Sequence, residues 1–166
     1  LLAANLWADR SEGVWQTVLA TQVLLDGLLV LVTYWLGCLV ASRPAAVVAA
    51  ALLALSPLSA AASCRVLSDS LYAFLLTVAT LLMVGHLRTG LWWALLVSAG
   101  VLAAGCYVRP VGLVMAGVFA LVLLARPRRL ARAGAFVGVV LAGIAPWVVR
   151  NGVAGGRWLN SRSGPW

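Results

Sequence analysis

The sequence of 166 residues is poor in charge, since Asp, Glu, Lys and Arg together make up only 10% of it. Soluble globular domains carry about 25% charged residues. The deficit excludes a water-soluble domain, a disordered tail and a nucleic-acid-binding module. The net charge of +8 is not evidence for nucleic-acid binding either. The twelve basic residues, all of them arginine, are scattered through apolar runs and form no basic face.

Residues that ligate metals are also scarce. The chain has three cysteines, Cys38, Cys64 and Cys106, and a single histidine. The cysteines lie in or beside apolar runs, without the close spacing that zinc or haem ligands show. We therefore expect no zinc or haem site, and the sequence implies no other cofactor.

Apolar residues dominate instead, at 64% of the chain, and the mean hydropathy is +1.05. A helix needs about 20 apolar residues to cross a ~30 Å hydrocarbon layer. The pattern predicts an all-α, polytopic transmembrane bundle of about six spans in a single domain over 1–166. The predicted spans are 15–41, 45–62, 69–87, 91–107, 111–125 and 134–149, and 150–166 is predicted to begin an outer loop.

The orientation follows from the densest basic cluster, which comprises Arg126, Arg128, Arg129 and Arg132. The positive-inside rule places this cluster in the cytoplasm. We therefore expect a multi-pass protein of the plasma (inner) membrane, with alternate turns of the bundle facing the periplasm or cell exterior.

Three arginines, Arg65, Arg109 and Arg150, then fall on the outer face, singly and at helix ends. Guanidinium groups match phosphate oxygens well, so the three together predict an outward site for an anionic lipid head group. Two of them also have a simpler explanation. Arg65 would form a surface ion pair with Asp69, and Arg109 would extend to the lipid head groups. Pro110, at the start of the fifth helix, would fix Arg109 beside N–H groups that favour anions.

An intramembrane carboxylate, Asp26, is predicted near the middle of the first span. Gln22, Asp26 and Thr33 share one helical stripe, which we expect to face the bundle interior. One interpretation is a carboxylate paired with a neighbouring polar group. The other is a role in moving a proton or a substrate. Elsewhere, the pairs Gly100/Ala104 and Gly134/Gly138 have a spacing that lets helices approach closely.

Several short motifs occur in an ordered series. Ala54-Leu55-Ser56-Pro57 ends one apolar helix, and Leu67-Ser68-Asp69-Ser70-Leu71-Tyr72-Ala73-Phe74 opens the next. Three further motifs follow along the chain. They are Arg109-Pro110, then Pro146-Trp147 with Arg150-Asn151, and finally Gly155-Gly156-Arg157 leading to Ser161, Ser163 and Gly164. Over about residues 15–164 this series resembles the membrane part of GT-C glycosyltransferases. It is most similar to the family of dolichyl-phosphate-mannose protein mannosyltransferases and lipid A aminoarabinose transferases.

The resemblance implies transfer of a sugar from a polyprenyl-phosphate carrier to an acceptor on the outer face. It implies that Arg109, with Arg65 or Arg150 and Asn151, binds the carrier phosphate, and that Asp69 lines the site. The family's principal acidic residue lies in an outer loop ahead of the first helix present here, where Asp9 and Glu12 match no motif. Because the chain also begins with Leu1 and ends without a terminating helix, we expect an internal fragment whose catalytic base lies upstream.

Two other functions stay open at the level of sequence. Half of a proton-coupled transporter or flippase would use Asp26 as its coupling carboxylate and Pro57 and Pro146 as helix breaks. Residues 15–87 and 91–149 show no defensible repeat, which a transporter should have. A purely structural membrane subunit would explain the glycine spacing but leaves the outer arginines without a role.

Overall fold

A computed structural model describes residues 2–56, 68–125 and 129–155 of the chain. In this part of the chain every element is helical and no strand occurs. The six described helices are α1 (Leu2–Val40), α2 (Arg43–Ala54), α3 (Ser68–Thr89), α4 (Trp92–Val108), α5 (Gly112–Leu124) and α6 (Arg129–Gly155). The predicted all-α class is confirmed, and the described residues contain six helices.

The observed helix ends agree with the predicted ones at the tight turns. They differ where a helix extends beyond its run of apolar residues. Pro44 lies in the first turn of α2, where its missing N–H costs no hydrogen bond. The prediction that a loop begins at residue 150 is wrong, because α6 continues to Gly155. Backbone hydrogen bonding extends a helix regardless of side-chain polarity, so the apolar run 134–149 underestimates its length. The rest of the predicted span 45–62, beyond Ser56, and residues 156–166 lie outside the described residues.

Three helices are long and apolar enough to cross a membrane. Their apolar segments are Gln16–Val40, Asp69–Thr89 and Leu130–Gly152. The other three described helices, α2, α4 and α5, are apolar but have 12, 17 and 13 residues. At 1.5 Å per residue they measure about 18, 26 and 20 Å, less than the ~30 Å of a hydrocarbon layer. Helix length therefore supports three full spans among the six predicted.

The helices pack in the order α2, α1, α3, α4 and α6, with α5 against α6 and α4. The α3–α4 pair is antiparallel, since His86 lies near Leu91 and Asp69 near Arg109. Helices α4 and α6 run in the same direction. The C-terminal ends of α4 and α6 therefore lie at the same end of the bundle as the N-terminal end of α3.

Many large apolar side chains face outward, and the interior combines alanines with large residues such as Phe136. Ala79 and Ala99 are completely buried, whereas Trp35 and Leu121 are 65% and 67% exposed. A soluble protein would hide such large side chains from water. In a membrane they contact lipid, and small residues between helices let the backbones approach. The exposed apolar surface is therefore typical of a helix bundle in a lipid environment.

The close helix contacts use other small residues than those the sequence indicated. A Cβ placed on Gly143 would lie 2.7 Å from the Cβ of Ala103, and one on Gly37 would lie 2.8 Å from the Cβ of Ala46. By contrast, Gly100, Gly134 and Gly138 face open space. The four-residue spacing identified helix faces made of small residues. Which glycines contact a neighbouring helix depends on the rotation of each helix about its axis.

Candidate functional site at one end of the bundle

An ion pair between Asp69 and Arg109 joins the start of α3 to the end of α4. Asp69 lies in the first turn of α3, where a carboxylate complements the helix dipole. Arg109 is the residue just after α4 and has extended backbone angles, φ −144° and ψ 126°. The following Pro110 favours this conformation, because its ring disfavours a helical residue before it. Local sequence thus ends α4 at the point that brings Arg109 to Asp69.

The pair is open to ligands, since the side chains of Arg109 and Asp69 are 43% and 39% exposed. A guanidinium has five N–H donors, and the contact with Asp69 uses its Nη2 atom. Donors therefore remain for an anion approaching from outside. Within the described residues, the pair is the place where two of the sequence-predicted site residues meet.

The α3–α4 turn explains why these two residues meet. Gly90 has a φ of +74°, which suits glycine, and His86 Nδ1 lies 2.8 Å from the carbonyl oxygen of Leu91. Further along, the Ser98 hydroxyl donates to the Ala79 carbonyl at 2.8 Å. Each contact joins residues about equally distant from the turn. Asp69 and Arg109 are the next such pair, so the turn fixes them at one level. Sequence reasoning selected both residues but paired Asp69 with Arg65.

The other predicted site residues, where the structure describes them, form no ion pair or hydrogen bond with the Asp69–Arg109 pair. Arg65 lies outside the described residues. Arg150 is exposed and Asn151 is half-buried, both in the last turns of α6. Arg150 is about 10 Å beyond Gly143 along the helix axis, and so lies at the same end of the bundle as the ion pair. Within the described part of the chain, no ion pair or hydrogen bond joins the side chains of Arg150 and Asn151 to Asp69 or Arg109.

The start of α5 does not add anion-binding donors, which corrects one expectation. The N–H of Gly112 donates to the Arg109 carbonyl at 3.1 Å, and the N–H of Leu113 donates to the Pro110 carbonyl at 3.0 Å. These short turn bonds use the groups that a helix N-terminus would otherwise offer. An anion at this end therefore depends on side chains, and above all on Arg109.

Sequence reasoning missed Tyr72, which lies one turn after Asp69 in α3. Its hydroxyl is buried and has no hydrogen-bond partner among the described residues. The ring packs where Gly105 has no side chain, and its carbons lie 3.7 Å from the position of a Cβ there. The three-residue spacing from Asp69 to Tyr72, which places both on one helix face, was the available signal.

A groove of about 590 Å³ runs between α4 and α6 below this end. It is lined by Gly100, Ala103, Ala104, Tyr107, Val139, Ala142 and Gly143. The Tyr107 hydroxyl donates to the Gly143 carbonyl at 2.7 Å. Tyr107 lies two residues before Arg109, so the groove begins close to the ion pair. The small residues of both helices leave room for an apolar chain beside it.

The stripe on α1 agrees in part with its prediction. Gln22 is 7% exposed, Asp26 and Thr33 are half-buried, and the Thr33 hydroxyl donates to its own helix at the Leu29 carbonyl. The stripe therefore does turn toward the bundle at Gln22. The described residues contain no group of three His, Cys, Asp or Glu side chains that would hold a metal ion.

Comparisons of the chain with protein-family models, with curated proteins and with solved structures returned no match. The function is therefore inferred from the geometry of the site.

Proposed function

We propose that the chain is part of a membrane glycosyltransferase that moves a sugar from a polyprenyl-phosphate carrier to an acceptor on the outer face of the membrane. The observation that carries the proposal is the half-exposed Asp69–Arg109 pair at one end of an apolar helix bundle. In this proposal that end faces the periplasm or cell exterior, and the end with the cluster around Arg132 faces the cytoplasm.

Charge supports a phosphate ligand at this end. A single arginine, fixed by Pro110 and by its contact with Asp69, presents its unused N–H groups at the surface. Planar guanidinium groups bind phosphate through paired hydrogen bonds. Arg150 lies at the same end, so a second cation is available to a diphosphate or to a large head group.

The groove between α4 and α6 supports a lipid carrier. It is apolar and it begins near Tyr107. A polyprenyl phosphate has a charged head joined to a long apolar chain. Arg109 would hold the head, and the groove would hold the first isoprene units.

The chemistry gives the two charged residues different roles. Attack of an acceptor oxygen on the anomeric carbon breaks the bond from that carbon to the phosphate oxygen, and negative charge grows on the leaving polyprenyl phosphate. A fixed guanidinium stabilises this charge. Asp69 is already engaged by Arg109, so we assign it a positioning role for the guanidinium. The acceptor proton passes to a base that is not Asp69.

The proposal is tested by measuring binding of a polyprenyl monophosphate, and of the uncharged polyprenol of the same length, to the purified full-length protein in nanodiscs. Arg109→Gln should weaken binding of the phosphate tenfold to a hundredfold, about the value of a charge-assisted hydrogen bond. Binding of the polyprenol should not change. Arg88→Gln is the matched control, because Arg88 is an exposed arginine at the opposite end of α3.

Asp69→Asn separates binding from structure, since it removes the ion pair and keeps the Arg109 charge. We expect it to reduce sugar transfer while much of the phosphate binding stays. If Arg109→Gln leaves the preference for phosphate over polyprenol unchanged, the pair only holds α3 to α4 and the proposal is wrong.

Asp26 supports the transporter as a second candidate, because it is half-buried in the middle of the span Gln16–Val40. A carboxylate at this depth is costly and is frequently functional. Asp26→Asn would abolish proton-coupled flux if the chain were half of a transporter. The transferase proposal expects sugar transfer to persist in this variant with a modest loss of stability.

A further inference from the structure

A second cavity lies at the end of the bundle opposite the Asp69–Arg109 pair. It has a volume of about 320 Å³ and is lined by Tyr34, Trp35, Cys38, Leu39, Arg43 and Leu81. Leu81 is twelve residues after Asp69 in α3, about 18 Å along the axis. The cavity is therefore separate from the proposed transferase site.

The lining is graded from polar to apolar along the membrane normal. Arg43 lies three residues beyond Val40, where the apolar span of α1 ends. Trp35 is about 8 Å deeper along the helix, inside the apolar span Gln16–Val40. Leu39 and Leu81 supply the apolar wall. A ligand that fits must have a charged group at the surface and an apolar chain below it.

The charged group must be an anion. Arg43 is exposed, and neither Asp26 nor Asp69, the carboxylates whose side chains are described, lies near it. Asp26 is about 21 Å from Val40 along α1, and Asp69 starts α3 at the other end. The first turn of α2 has no acidic residue, and the Ser42 side chain makes no capping bond. The positive end of the α2 dipole therefore adds to the Arg43 charge.

We propose that this cavity binds an anionic phospholipid, with the phosphate on Arg43 and one acyl chain against Trp35, Leu39 and Leu81. A basic pocket between membrane helices is a known way to recognise anionic head groups. The site is independent of the transferase proposal, because it shares no residue with the Asp69–Arg109 end.

The test compares spin-labelled phosphatidylglycerol with spin-labelled phosphatidylcholine at the boundary of the full-length protein in vesicles. The wild type should prefer phosphatidylglycerol, and Arg43→Gln should reduce the preference about fivefold, which corresponds to ~1 kcal/mol for one basic residue near a membrane surface. Arg43→Lys should keep most of it. Arg88→Gln, which removes an exposed charge outside this cavity, should leave it unchanged.

Leu81→Trp fills the apolar part and should reduce binding of both lipids without altering the surface charge. An equal loss in Arg43→Gln and Arg88→Gln would mean diffuse attraction and would overturn the proposal, as would equal binding of the two lipids by the wild type. Competition by soluble glycerol phosphate at millimolar concentration would show that the site recognises a free phosphate, and would likewise overturn the assignment to a lipid.

Discussion

Replacing Tyr107 by Phe removes a hydroxyl that joins α4 to α6, and the structure allows its cost to be worked out. The hydroxyl donates to the Gly143 carbonyl at 2.7 Å, three residues before Pro146, which lies inside α6. Proline has no N–H for the carbonyl of Ala142 and its ring crowds that group. Membrane helices tolerate such a break when a neighbouring helix supplies donors. Tyr107 donates to the next carbonyl, that of Gly143, so α4 adds a hydrogen bond beside the break in α6.

The expected loss for Tyr107→Phe is about 0.5–1 kcal/mol. Hydrogen bonds between membrane helices average ~0.6 kcal/mol, with a maximum near 1.7. We expect a value near the average and well below the maximum, because Tyr107 is 49% exposed. Water or a lipid head group therefore replaces part of the lost hydrogen bond. Unfolding by SDS in mixed micelles, followed by far-UV circular dichroism, measures the difference in the free energy of unfolding.

Tyr72→Phe is the matched control, because it makes the same chemical change at a hydroxyl that is buried without a partner in the described structure. Removing such a group should leave stability unchanged or increase it. A loss at Tyr72 equal to that at Tyr107 would refute the reasoning.

Two further stability predictions use the same unfolding assay. His86 is 1% exposed and its Nδ1 contacts the Leu91 carbonyl, so His86→Ala should cost about 2–4 kcal/mol from the lost bond and the cavity. His86→Asn, which keeps an N–H near the Nδ1 position, should recover part of this loss, and equal values for the two variants would rule out the hydrogen bond as a cause. Gly143→Ala should destabilise relative to Gly138→Ala by about 1–3 kcal/mol, because the new methyl meets Ala103 in the first case and open space in the second. Indistinguishable stabilities would mean that α4 and α6 separate without cost at this contact.

The sequence was a good guide to the helices and a poor guide to their contacts. Breaks such as Ser42-Arg43-Pro44 are local events, and the end of α1 and the start of α2 follow them closely. The ends of α6 were missed, because the apolar run marks where lipid contact ends and the backbone continues to hydrogen-bond beyond it. Among the described helices, α2, α4 and α5 have 12, 17 and 13 residues and are shorter than the apolar segments of α1, α3 and α6.

The site was predictable in its residue types and only partly in its pairing. Arg109 was selected as an arginine at an outer helix end, next to Pro110, and Asp69 was selected as a partner for Arg65 and through the family resemblance. Their contact needs the register of α3 against α4, which the turn at Gly90 determines, and counting outward from that turn would have found the pair. The rotation of α4 and α6, which brings Gly143 rather than Gly138 to a neighbour, depends on packing around the whole helix and has no comparable local signal.

The short turn at Gly90 also has a consequence for how the α3–α4 hairpin opens and closes. Contacts between residues close in sequence form first, since little chain entropy is lost in closing them. The contact between His86 and Leu91 therefore forms before the one between Ser98 and Ala79. The ion pair between Asp69 and Arg109, which is farthest from the turn, forms last. Local opening begins where packing is least, so the ion pair can separate while the hairpin stays intact. A phosphate could then reach the Arg109 guanidinium while the bundle stays folded.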